Sequence, residues 1–99
     1  MNILKSKKEI QKLFESGKTI SNGFFLFKTI ETESSNFLFA VSSKKFPRAV
    51  DRNRIKRLMK EVVRKVIIKN KSIAIIYTGK SVPEFKEVDN SIKNLIKKI

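Results

Sequence analysis

Between Arg52 and Ile67 the apolar residues Ile55, Leu58, Met59, Val62, Val63, Val66 and Ile67 recur at i, i+3, i+4, i+7, i+8, i+11 and i+12. That spacing lines one side of an α-helix with a stripe wide enough to demand burial, so the rest of the chain must supply a surface to receive it. At about 100° per residue the opposite side collects Asn53, Arg54, Arg57, Lys60, Glu61, Arg64 and Lys65, with Arg52 and Lys56 on its flank. One helix thus packs inward and presents cations outward.

The cations are concentrated there. All five arginines lie between Arg48 and Arg64, and residues 44–71 hold 12 basic and 2 acidic side chains, whereas the other 71 residues hold 11 basic and 7 acidic. Arginine carries a planar fork of donors that meets phosphate oxygens two at a time and stays charged when partly desolvated, while lysine is a well-hydrated point charge. The 18 lysines are spread along the chain. Clustered arginine beside an asparagine, flanked by a basic loop, exceeds what solubility requires and points to nucleic acid. A net charge of +14 also strains the compact state by self-repulsion, so a bound anion is expected to stabilise it. A membrane surface suits the pattern less well, because the apolar side is aliphatic, without interfacial tryptophan.

Catalysis by the protein itself is poorly supported. The chain has no histidine and no cysteine, which removes the usual neutral-pH proton shuttle, the usual thiol nucleophile, and any disulfide or thiolate metal site. Nine scattered acidic residues read as surface charge better than as a two-metal nuclease site. No apolar run approaches the roughly 20 residues of a membrane span, and the start, Met1 to Lys5, lacks a signal peptide's apolar stretch. A cytoplasmic protein is expected.

Ninety-nine residues with 3 glycines and 2 prolines suit one domain, residues 1–99. Ser6 to Glu9 has capping-box spacing, Ile10, Leu13 and Phe14 follow at helical intervals, and Gly17 supplies a stop. Ile20 to Ile30 and Asn36 to Val41 read as two antiparallel strands around a polar turn. Pro47 makes Lys44 to Arg48 a basic loop. Ser72 to Thr78 reads as a buried strand, Ser81 to Glu84 as a second capping signal, and Val88, Ile92, Leu95, Ile96 and Ile99 as a last amphipathic helix. The order is αββαβα, with room for a third strand near Ser42 to Val50. In the Phe24 to Phe27 run, strand alternation sends Phe25 and Phe27 one way and Phe24, Leu26 and Lys28 the other; one set belongs to the core, and the other suits stacking of unpaired bases.

Val41, Ser42, Ser43, Lys44 and Lys45, followed by Ala49, Val50 and the run Arg52, Asn53, Arg54, Ile55, Lys56, Arg57, closely resemble the signature of the bacterial ribonuclease P protein component. The match extends upstream through Phe14, Gly17 and Phe25 and downstream through Glu61 and Arg64 to the last helix, covering essentially the whole chain. The resemblance implies an α/β domain, an α+β sandwich similar to the second domain of ribosomal protein S5, in the order αβββαβα. It also implies a left-handed βαβ crossover, against the usual right-handed rule. The implied function is that of the protein subunit of ribonuclease P. The subunit binds the catalytic RNA and the 5′ leader of precursor tRNA and assists magnesium-dependent, RNA-catalysed removal of that leader, with Mg2+ held mainly by the RNA.

Carried over by position, Arg52, Asn53, Arg54, Lys56, Arg57, Lys60 and Arg64 form the contact to the catalytic RNA, extended by Lys44 and Lys45. Ile10, Phe14, Phe24, Leu26 and Lys28 line a leader cleft. Ile10 and Lys28 stand where relatives often place aromatics, so Lys28 is expected to meet phosphate instead of stacking. Lys60 replaces a usual arginine and Pro47 a common glycine. The protein is expected to act as a monomer in the complex, away from membranes. The rival readings are a ribosomal or other structured-RNA binding protein without a catalytic role, and a DNA regulator, which would need a helix before Arg52.

Overall fold

The computed structural model describes residues 3–99. Its elements are α1 (Lys7–Ser16), β1 (Lys18–Ser21), β2 (Phe25–Glu31), β3 (Asn36–Val41), α2 (Ala49–Arg64), β4 (Lys71–Tyr77) and α3 (Phe85–Ile96). The strands form one four-stranded sheet in the order β1-β2-β4-β3. β1 and β2 are antiparallel, as are β2 and β4, while β3 and β4 run parallel and are joined through α2.

Register explains the core. Ile20, Phe27, Ile75 and Phe39 pair in sequence across the sheet, so they share one face, and Phe25 with Tyr77 and Ile73 with Phe37 follow on the same side by strand alternation. α2 and α3 close this face with Ile55, Met59, Val62 and Val63 from the first and Val88, Ile92 and Leu95 from the second. The other face carries Leu26, Lys28 and Ile30 on β2 and Ala74 and Ile76 on β4. There Leu4 and the α1 residue Leu13 are buried against Ala74, with Ile10, Ile30 and Leu38 packed around them. Two helices cover one face and a single short helix covers part of the other. That asymmetry leaves one end of the second face open.

The first helix follows the sequence closely: Ser6 caps it, its hydroxyl accepting the Glu9 N–H at 3.4 Å. Gly17 ends it in an extended conformation at φ −72°, so no left-handed cap is involved. Glycine is needed there for space, because a Cβ would run into the Leu13 carbonyl and lie 3.0 Å from that of Thr29.

Four expectations are corrected. The Ile20 to Ile30 run is two strands, split where the Asn22 Oδ1 accepts the N–H groups of Phe24 and Phe25 at 3.2 and 3.1 Å and Gly23 takes φ +90°. The third strand is therefore β1 and does not lie near Ser42 to Val50, which forms a turn and the start of α2. α2 begins at Ala49, just after Pro47, with Arg48 as its extended N-cap and Asp51 in its first turn. It stops at Arg64, because the Lys65 N–H bonds back to Val62 and Val63 and the chain turns towards β4; Val66 and Ile67 thus leave the stripe, and Ile67 is 85% exposed. α3 starts one turn later than the Ser81 signal suggests, with Glu84 as N-cap.

Candidate nucleic-acid interface

The buried side of α2 holds its outer side rigid. Ile55, Met59, Val62 and Val63 are fully enclosed, while Asn53, Arg54, Arg57, Glu61 and Arg64 are exposed and Arg52, Lys56 and Lys60 are half-buried. This is the division that helical geometry dictates. Among the described residues the helix's own ion pair is Arg48 with Asp51 at 3.8 Å; Arg54, Arg57 and Arg64 have no carboxylate within salt-bridge distance. Guanidinium groups without partners, fixed on a docked helix, form an electropositive ridge suited to phosphate. The positive end of the helix dipole adds to it near Arg48 and Asn53.

Several predicted contacts are engaged elsewhere. The Arg52 Nη1 donates to the carbonyls of Phe46 and Pro47, both at 2.8 Å. The Lys45 Nζ donates to the Thr78 carbonyl at 3.0 Å. The Lys60 Nζ sits 5.9 Å from the Phe39 ring centroid, a cation–π contact that keeps the charge at the surface. Lys44 remains exposed in the loop.

That loop joins the ridge to the open end of the second sheet face. Val41 and Phe25 both pair with Tyr77, so the end of β3, the end of β4 and the start of β2 lie together. There the Thr78 N–H donates to the Phe24 carbonyl at 2.8 Å and its hydroxyl to that of Gly23 at 3.3 Å. Of the predicted cleft residues, Leu26 and Lys28 are half-buried on this face, Phe24 is 48% exposed in the turn before β2, and Phe14 is 38% exposed on α1. Ile10 packs against the cluster around Leu13 and Ala74, so it serves the core.

Two residues of the open sheet face escape the sequence reading. Ile76 pairs with Leu26 on one side and Ala40 on the other, so these three form a half-buried floor beside α1. The continuous apolar run of β4 hides this, since a central strand buried on most of both faces shows no alternation.

Among the described residues the Tyr77 hydroxyl is raised above its usual value, by burial and then by the Glu87 carboxylate. It donates to the Ser81 carbonyl at 2.7 Å and acts as a neutral structural donor. Among the described residues no three acidic side chains gather as metal ligands, and no helix is long and apolar enough to cross a membrane.

Comparison with known proteins converges on one family. A family model described as Ribonuclease P matches residues 1–99. The ribonuclease P protein component of Borrelia turicatae is 35% identical over 99 residues, spanning 94% of this chain and 87% of that protein. That of Clostridioides difficile is 31% identical over 101 residues, spanning 96% and 89%. The solved ribonuclease P protein of Thermotoga maritima superposes with a TM-score of 0.87 at 27% identity, covering all of this chain and 98% of the other. The Staphylococcus aureus protein does so at 0.86 and 25%, covering 98% and 94%.

Proposed function

Since the chain belongs to the ribonuclease P protein family and is the protein subunit of that endoribonuclease, we propose that the outer face of α2 grips the catalytic RNA subunit and the open sheet face holds the 5′ leader of precursor tRNA. The observation that carries this reading is the set of exposed arginines, Arg54, Arg57 and Arg64, with no carboxylate partner among the described residues. Asn53, Lys56, Lys60 and Lys44 extend the surface. Phe14 and Phe24 offer ring faces for unpaired bases, Lys28 a cation for the leader backbone, and Leu26, Ile76 and Ala40 the floor.

The chemistry belongs to the RNA. A chain without histidine or cysteine lacks the usual neutral-pH proton shuttle and the usual thiol nucleophile. Nor do its residues fit a resident Mg2+, which takes oxygen ligands: the ridge offers guanidinium and ammonium groups, with Asp51 paired to Arg48 and Glu61 alone among cations. On this proposal Mg2+ is held mainly by the RNA subunit. The protein's part is to reduce repulsion between two polyanions and to hold the leader in line. It acts as one copy per complex, in the cytoplasm. A ribosomal or other structured-RNA role is not favoured by the relatives, and a helix-turn-helix reading fails because residues 42–48 contain no helix.

The test is reconstitution at low magnesium with the catalytic RNA and a precursor tRNA carrying or lacking its leader. The protein is expected to rescue cleavage, and to tighten binding only of the substrate with a leader. Equal affinity for both substrates would remove the cleft from the proposal.

A further inference from the structure

We infer that Arg52 is a positioning residue: it sets the course of the loop between β3 and α2 so that Lys44 and Arg48 face the RNA, and it does not itself meet a phosphate. The inference rests on the reading of α2 as the RNA-gripping surface.

The loop has no strand or helix ladder to hold it. Its first half is tied by Ser42, whose hydroxyl accepts the N–H groups of Lys44 and Lys45 at 3.2 and 3.4 Å and whose carbonyl accepts that of Phe46 at 3.0 Å. The Phe46 ring is buried, 5.9 Å from that of Tyr77. Its second half has a deficit of partners. The helical ladder begins with the Arg52 N–H bonding to the Arg48 carbonyl, which leaves the carbonyls of Phe46 and Pro47 outside it, and Pro47 has no N–H to return the chain on itself. One turn into the helix, the Arg52 Nη1 meets both carbonyls at 2.8 Å. Charge-assisted bonds of this length are the stronger kind, and they fasten the loop to the rigid helix beside it.

What the fastening leaves free defines its purpose. The Lys45 ammonium is bonded to Thr78, whereas Lys44 is exposed and makes no side-chain hydrogen bond among the described residues. The Arg48 side chain is 76% exposed and only loosely paired to Asp51. Arg48 directly follows the carbonyls that Arg52 holds, and Lys44 lies two residues before them on the loop that Ser42 ties at its other end. The course of the loop between them depends on both ties, and an effect of Arg52 on RNA binding should pass through these two cations.

A thermodynamic cycle decides this. Affinity for in vitro transcribed ribonuclease P RNA is measured over a salt series for the parent, Arg52→Met, the double variant Lys44→Met with Arg48→Met, and the three changes combined. Arg52→Met is expected to weaken binding about fivefold in the parent but less than about twofold once the loop is neutral, with no further loss of salt slope there. A direct phosphate contact gives the same loss in both backgrounds and a further slope decrease of roughly 0.7 to 0.9 in the second; that result overturns the inference, as does the absence of any effect in the parent. Urea midpoints verify folding, and the equally neutral Arg52→Gln, read by the same criterion, replaces the methionine variant if that one does not fold. Should Arg57→Ala leave both affinity and slope untouched, the RNA-surface reading itself fails, an outcome distinct from failure of the cycle.

Discussion

Replacing Arg54, Arg57 and Arg64 with alanine, singly and together, separates what the ridge does for the fold from what it does for RNA. All three side chains are exposed, and none is ion-paired among the described residues, so their removal deletes neither packing nor salt bridge. Arg54 and Arg57 stand three residues apart on α2, a like-charged pair that costs the helix roughly 0.2–0.5 kcal/mol, and alanine is the better helix former. Each variant should therefore hold its stability within about 0.5 kcal/mol of the parent, or gain slightly. RNA binding should move the other way. At about 1.5 Å of rise per residue, Arg54 and Arg64 lie about 15 Å apart, beyond the ~8 Å screening length at physiological salt, so they meet separate phosphates. Each single change should lower the log–log salt slope by roughly 0.7–0.9, and the triple change by roughly 2–3. The assay titrates labelled ribonuclease P RNA across a chloride series, beside urea denaturation of the same proteins. A triple variant with the parental slope, or one that loses stability, refutes the argument that these cations are committed to RNA and not to the fold.

Gly17→Ala should destabilise the protein by about 1–3 kcal/mol in urea, because the new Cβ meets the backbone carbonyls of Leu13 and Thr29; a change under 0.5 kcal/mol would mean the α1–β1 junction relaxes freely. Asn22→Ala removes acceptors from Phe24 and Phe25 and the donor to the Ser91 carbonyl at 3.0 Å, at an expected cost of about 2 kcal/mol, and hydrogen exchange should show the loss concentrated in β1. Tyr77 is the chain's one tyrosine and there is no tryptophan, so ultraviolet titration reads it directly. Its ionisation should fall above the usual value of 10.0 in the folded protein and return to it in urea. Because the folded value is the raised one, its contribution to stability is complete below pH 10 and lost as pH rises through the folded value. The difference in urea midpoint between the parent and Tyr77→Phe should shrink across that alkaline window.

Much of the site was legible before any coordinates because α2 obeys a strict period. Once Ile55, Met59, Val62 and Val63 must face a core, Arg54, Arg57 and Arg64 have nowhere to go but solvent. The β1–β2 hairpin was missed, although Asn22-Gly23 is a strong tight-turn dipeptide, since the apolar residues on both sides blended into one apparent strand. The extension of the stripe to Val66 and Ile67 failed for another reason. Periodicity carries no record of where the chain must turn back, and β4 demanded that turn after Arg64.

The family motif, the localised charge and the two sides of α2 are thus properties of the sequence alone, because each depends on neighbours within a few residues. The position of β4 between β2 and β3, the open floor of Leu26, Ile76 and Ala40, and the separate fates of Arg52 and Arg57 came only with the tertiary structure. Two arginines on one helix are the same in sequence. Carbonyls five and six residues back, brought within reach by a loop anchored through Phe46, make one a tether and leave the other free.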